Sequence, residues 1–264
     1  MIEWLSFLFA GVISGLAAGL FGIGGGLIIV PILMIVFSWQ GMSPDIAIHV
    51  AVGTSLMTIT ITSLSSMRAH HHYGTVQWPL VARLAPGLVI GSLAGAVIAT
   101  SLSSHLLQKI FALFAILMAG RMWLPPPQAI SPGLLTKWAV SFYGAVTGII
   151  SAMVGIGGGT LVVPYLVMAG QDVKKAVGTA AACGFPIAAS GVTGFIWMGS
   201  QVRGIEADWQ TGFVHWQAFI GIIATSVFMA PLGARLARHL PHRKLSRLFS
   251  LVLLLVGLIL LARS

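Results

Sequence analysis

The groups in this 264-residue sequence best suited to hold a ligand are backbone amides, and they come in two clusters. Gly22-Ile23-Gly24-Gly25-Gly26 runs into Leu27-Ile28-Ile29-Val30-Pro31, and Gly155-Ile156-Gly157-Gly158-Gly159 runs into Thr160-Leu161-Val162-Val163-Pro164. A glycine turn that opens a helix brings free N–H groups close to a ligand, and the helix dipole adds partial positive charge there. The chemistry this favours is anion binding. Hydroxyls recur beside further glycines: Thr54 and Ser55 follow Gly53, and Thr179 follows Gly178. Each could donate to a bound oxyanion without carrying charge. His49, one turn before Gly53, is a candidate for proton coupling. Plainer alternatives stand beside these readings. Small residues permit close helix packing in membranes, buried Ser and Thr commonly bond a carbonyl one turn back, and a histidine in an apolar segment can be purely structural.

The residues that are missing narrow the chemistry. Asp and Glu total five (Glu3, Asp45, Asp172, Glu206, Asp208), all expected in loops or at segment ends. Proton and metal-cation pathways ordinarily need carboxylates inside the membrane, so cation transport is disfavoured. A hydrolase would need a nucleophile with its base, or a carboxylate pair, near one surface; none is evident, and the chain is not read as an enzyme. The GxGGG spacing lacks the strand and acidic residue of a dinucleotide-binding turn. His70-His71-His72 would point in different directions on a helix, with no carboxylate or cysteine near, and Cys183 is the only cysteine. No metal and no cofactor are therefore expected. The net charge of +9 is dispersed between apolar runs rather than gathered on one face, which argues against nucleic acid.

The elements that must position these groups are membrane segments. Hydrophobic residues make up 57% of the chain and charged residues 7%, with a mean hydropathy of +0.99, far from a soluble domain. Ten apolar segments are predicted, near residues 4–22, 27–38, 46–66, 79–101, 106–123, 138–154, 160–170, 175–198, 213–236 and 245–262. Several reach the ~20 residues that cross a bilayer. The second and seventh are too short, and each follows a glycine cluster and holds a proline, Pro31 or Pro164. Because the residue before proline is pushed from helical angles, helix is expected to begin only at those prolines, giving re-entrant or broken helices. The start Met1-Ile2-Glu3-Trp4 lacks a basic stretch, so the first segment is expected to be retained rather than cleaved.

The duplication runs through the chain. Gly11, Gly15 and Gly22 match Gly144, Gly148 and Gly155; Ala51-Val52-Gly53-Thr54-Ser55 is echoed by Ala176-Val177-Gly178-Thr179-Ala180; Lys109-Ile110-Phe111 is echoed by Arg247-Leu248-Phe249. Residues 1–123 and 138–264 are thus expected to be two repeats, joined by a linker over 124–137 that contains Pro125-Pro126-Pro127. With five segments each, the second repeat is inverted relative to the first. If the N-terminus is outside, all lysines and arginines fall on the cytoplasmic side except Lys109, Arg203 and Arg263, as the positive-inside rule asks. The fold class expected is an all-α integral membrane protein of two inverted repeats, each of about four or five segments. In such proteins interrupted helices meet near the midplane and hold the substrate.

The doubled G-x-G-G-G-x-x-x-V-P pattern, the A-x-H-x-A-V-G-T-S run from Ala47 to Ser55, the Gly178-Thr179 echo and the overall length resemble the TauE/SafE family of sulfite exporters, also called the four-toluene sulfonate uptake permease family. The resemblance covers nearly the whole chain. It implies secondary transport of sulfite, organosulfonates such as sulfoacetate, or related small organic anions across a bacterial inner membrane, usually as export. It agrees with an anion site lined by Gly22, Gly24, Gly25, Gly26, Gly155, Gly157, Gly158 and Gly159, with Thr54, Ser55 and Thr179 as side-chain contacts. One departure is Ala180, where the first repeat has Ser55. An anion channel, an importer, or a membrane-embedded enzyme or assembly factor are the alternatives. The partners expected are a small anion and membrane lipid, with a homodimer as an option.

Overall fold

The computed structural model describes residues 2–21, 25–124, 136–202, 209–239 and 242–262. Gly22, Gly24 and the triple-proline part of the linker lie outside them. The described residues form ten helices: α1 (Ile2–Phe21), α2 (Gly26–Trp39), α3 (Pro44–His72), α4 (Trp78–Ser101), α5 (Ser104–Trp123), α6 (Lys137–Val154), α7 (Gly159–Met168), α8 (Val173–Gly199), α9 (Trp216–His239) and α10 (His242–Ala262). Between α8 and α9 lies an antiparallel hairpin of β1 (Gln210–Thr211) and β2 (Val214–His215).

Local chemistry sets the ends. α3 opens with Ser43 accepting from the Asp45 amide and Pro44 in the first turn; α8 opens with Asp172 accepting from the amides of Lys174 and Lys175. The turns that follow α2, α3 and α7 place Gly41, Gly74 and Gly170 at φ between 66° and 83°, the left-handed region that ends a helix. Two expectations need correction. α2 and α7 begin at Gly26 and Gly159, and both prolines lie inside their helices. Proline disfavours but does not forbid helical angles before it, and each first turn is already closed by bonds to the carbonyl of the preceding glycine, Gly25 or Gly158. The segment expected over 213–236 starts instead as strand, with helix only from Trp216.

α3, α4, α5 and α8 are long and apolar enough to cross a membrane, and the remaining helices carry shorter apolar stretches. Large apolar side chains such as Ile90, Leu113, Phe142 and Phe228 are exposed on the outer faces, which suits lipid rather than water.

Glycine decides how the helices pack. α1 runs beside α9 in the same direction, with Gly11 against Ile222 and Gly15 against Ser226. α4 runs beside α6 in the same direction, with Gly87 against Ser141, Gly91 against Ala145 and Gly95 against Ile149. α3 and α8 cross the centre in opposite directions, bringing Gly53 to Phe195 and Ser63 to Gly184. α5 and α10 are likewise antiparallel: Gln108 Nε2 donates to the Leu260 carbonyl (2.8 Å) and Trp123 Nε1 to Ser250 Oγ (2.7 Å). α2 lies on α3, and α7 on α8.

A methyl group at Gly91 would meet the backbone of Ala145, which cannot yield as a side-chain tip can, whereas one at Gly120 on the outer face of α5 meets nothing. Gly91→Ala is expected to cost about 1–3 kcal/mol and lower the thermal unfolding temperature in detergent. Gly120→Ala is expected to leave it unchanged or raise it slightly, by up to about 1 kcal/mol from helix propensity.

Candidate functional site

The second glycine turn is the better defined. α6 ends in Gly155 at φ 70°, and the amides of Gly155 and Ile156 both donate to the Ser151 carbonyl. The Gly158 carbonyl then accepts from Leu161 (3.3 Å) and Val162 (2.8 Å), starting α7. Between these bonds, the amides of Gly157, Gly158, Gly159 and Thr160 have no acceptor among the described residues, although Gly157 and Gly158 are buried. Buried amides are nearly always paired, so the two at Gly157 and Gly158 make this turn a candidate place for an acceptor.

The first turn shares the helix-opening bonds of the second, although Gly25 is left-handed where its counterpart Gly158 stands at φ −63°. Gly25 stands at φ 76°, its carbonyl accepts from Ile28 and Ile29 (both 3.0 Å), and the amides of Gly25, Gly26 and Leu27 have no acceptor among the described residues. The two turns touch. Gly26 packs on the Gly155 carbonyl so closely that any side chain there would collide with it. Ser55, from the middle of α3, donates to that same carbonyl (2.8 Å). Ser55 therefore braces the second turn, spending its proton on protein. Ala180, its echo in α8, cannot do the same.

Thr54 and Thr179 show a reciprocity. Thr54 Oγ1 accepts from the His215 amide (3.0 Å), just before α9, and Thr179 Oγ1 accepts from the Gln77 amide (3.0 Å), just before α4. Gly53 meanwhile lies against the Phe213 carbonyl and Gly178 against Thr75, two residues earlier in each case. The echoed Gly-Thr pair thus seats the chain entering the fourth helix of the opposite half.

His49 is buried away from both turns, between Ala99, Ser104 and the ring of Phe213. The structure thus brings Gly25, Gly26, Ser55 and Gly155–Gly159 together, ties Thr54 and Thr179 to helix starts, and sets His49 apart.

Other polar groups here carry no motif. Thr160 Oγ1, at the start of α7, and Ser151 Oγ, at the end of α6, are buried without a hydrogen-bond partner among the described residues. Tyr143 stacks on Tyr165 (3.8 Å between ring centres) and donates to the Leu161 carbonyl (2.7 Å), bracing the first turn of α7. His215 is buried beside Phe7 and Phe37. A cavity of about 10 Å³ touches Gly25, room for one water and too small for an organic anion. A larger one, about 210 Å³, lies between α2, α3, α5 and α10, with Pro31 and Ser38 on one wall and Gln108 on another. Among the described residues no three His, Cys, Asp or Glu side chains are grouped to hold a metal ion.

Replacing Thr54 or Thr179 by Val removes the acceptor of one amide while keeping the shape. Each is expected to cost about 1–3 kcal/mol in thermal unfolding, with Ser at the same position restoring most of it.

The family described as Sulfite exporter TauE/SafE matches residues 7–260. A probable membrane transporter protein of Haemophilus influenzae is 34% identical over 252 residues, covering 95% of both chains. Probable membrane transporter proteins of Methanocaldococcus jannaschii and Bacillus subtilis (YunE) are each 28% identical, over 96% and 94% of this chain and 94% and 93% of their own. No solved structure matches. A match of this extent, on a chain of apolar helices with paired glycine turns, places the protein in the TauE/SafE family, as a multi-pass membrane transporter of that type.

Proposed function

We infer that this transporter is a secondary carrier of small anions, moving sulfite, organosulfonates such as sulfoacetate, or related organic anions out of the cell across a bacterial inner membrane. The anion is held by the two glycine turns, Gly22–Gly26 and Gly155–Gly159, and released by alternating access. The observation that carries this is the set of amides at Gly25–Leu27 and Gly157–Thr160, and the hydroxyls of Ser151 and Thr160, that have no partner among the described residues. Seven amides and two hydroxyls can all donate, and among the described residues no carboxylate is at hand to repel an anion. A sulfonate or sulfite offers three acceptor oxygens to such a group. The cavity at Gly25 is too small for the ligand, so on this reading binding opens space there, as a carrier with an occluded form would.

The carrier is read as two inverted repeats, 1–123 and 138–264. The pairing of helices supports this, because exchanging α1–α5 with α6–α10 maps the scheme onto itself. α1 beside α9 becomes α6 beside α4, both parallel, while α3–α8 and α5–α10 are each self-paired and antiparallel. A two-fold axis in the membrane plane requires that pattern. The paired bonds of Thr54 to His215 and Thr179 to Gln77 obey the same exchange.

Thermal stability titrated with sulfite, sulfoacetate, taurine, sulfate and acetate tests the site, since a ligand bound only by the folded state raises stability with its concentration. Thr160→Val is expected to leave the unliganded protein as stable as wild type, because that hydroxyl has no partner to lose, and to weaken the anion response about fivefold or more. An unchanged response in this variant and in Gly158→Leu removes the turns from the site. The inverted topology predicts that Gln40→Cys and Ser200→Cys are labelled by an impermeant maleimide from outside intact cells. Tyr73→Cys and Lys174→Cys are expected to react only after the membrane is opened.

A further inference from the structure

The junction of α3, α4 and α5 holds a histidine that anion binding does not use. His49 is 4% exposed. Its Nε2 lies 3.1 Å from the Ala99 carbonyl near the end of α4. A carbonyl only accepts, so that nitrogen carries a proton. Its Nδ1 lies 3.2 Å from Oγ of Ser104, the first residue of α5, and Ser104 Oγ also donates to the Asp45 carbonyl in the first turn of α3. A hydroxyl has one proton. While it points at Asp45, the Ser104 oxygen can only accept from Nδ1, which calls for a second N–H on the ring. Both ring nitrogens then face acceptors, an arrangement that suits the imidazolium form.

We propose that His49 is a reversible proton-binding site whose occupancy sets the direction of the Ser104 hydroxyl and so the tie between α3 and α5. In the loaded form Nδ1–H donates to Ser104, and Ser104 donates to Asp45. On release the proton leaves Nδ1 for water at the exposed turn around Ser103; Ser104 turns its O–H into the freed Nδ1 lone pair, and Asp45 loses that donor. The Leu102 carbonyl is a further backbone acceptor beside the ring. Pro44, Ala47 and Gln108, within a turn of these residues, line the 210 Å³ cavity, so the switch stands in its wall.

Few of the charged and titratable groups on the elements packed there lie near His49. α3 brings Asp45, whose side chain is exposed, and at its far end Arg68 and His70–His72; α5 brings His105 and Lys109, both exposed, and Arg121 at its far end; α2 brings none; α4 carries only Arg83, α8 only Lys174 and Lys175, α9 Arg235, Arg238 and His239, and α10 His242, Arg243, Lys244 and Arg247, all at the ends away from His49. β2 brings His215, whose Nδ1 accepts from the Ala218 amide.

The consequence for transport, a proton dependence of flux, rests on the carrier reading; the proton site itself does not, and it is tested without any anion. The full-length protein, labelled with ¹⁵N-histidine in detergent micelles, is titrated from about pH 5 to about pH 9. His49 is identified by subtracting the His49→Gln spectrum. In parallel, hydrogen exchange is followed at the amides of Leu102–Leu106, corrected for the intrinsic effect of pH. The expected result is two ring states for His49, imidazolium and a neutral Nε2–H form, with exchange at the α4–α5 turn changing about fivefold between them. That change is expected to vanish in Ser104→Ala, which keeps the histidine but removes the switch. A single neutral state throughout, or an exchange change that persists in both His49→Gln and Ser104→Ala, overturns the proposal.

Discussion

Everything in this molecule follows from the demand that backbone amides be satisfied away from water. Helices meet that demand internally except at their ends, and here two helix starts, at Gly26 and Gly159, are placed in the interior. Broken backbone of this kind is tolerated in a membrane only where protein surrounds it or a cavity is lined by it. The glycine turns satisfy the first condition through their mutual contact, Gly26 against Gly155, and through Ser55 on the Gly155 carbonyl. On the carrier reading proposed above, their amides are left for a ligand. Electrostatics would then select an anion, because two helix N-termini present positive ends and no acidic side chain among the described residues balances them.

The rest of the fold holds those two turns in place. Glycine contacts along α1–α9 and α4–α6 let backbones approach closely, the means of association available in lipid where hydrophobic burial supplies little. Both pairs join one half of the chain to the other. The Thr54 and Thr179 bonds do the same at the centre, so a movement of either half must be transmitted across the pairs or break them. Tyr143 and Tyr165 stiffen the α7 turn alone; the residues 133 positions earlier, Ala10 and Ile32, offer no such brace. The two helix starts thus share their opening bonds to Gly25 and Gly158 and are unequal in support.

Much of the fold was legible in the order of residues. Apolar runs punctuated by Gly41, Gly74 and Gly170 mark the helices, and the doubled glycine motif marks the interruptions. What was not legible depended on distant partners. Repetition singles out Thr54 and Thr179, but their partners lie 161 and 102 residues away, so a hydroxyl that seats a helix start looks like one facing a ligand. Thr160 and Ser151 escaped notice for the opposite reason: their counterparts are Leu27 and Ala18, so no repetition points to them. The local preference before Pro31 and Pro164 was outweighed by helix bonds from Gly25 and Gly158. His215 lies inside the run expected over 213–236 but belongs to no echoed motif, so nothing in the order of residues singled it out.

The measurement that bears most directly on the central claim is an experimental structure with a selenium oxyanion in place of the sulfur one, located by anomalous scattering at the selenium edge. The account predicts a peak between the glycine turns, its oxygens about 3 Å from the amide nitrogens of Gly26, Gly158 and Thr160, with the turns moved apart to admit it. A peak confined to the cavity between α2, α5 and α10, or no ordered peak at saturating anion, would contradict it.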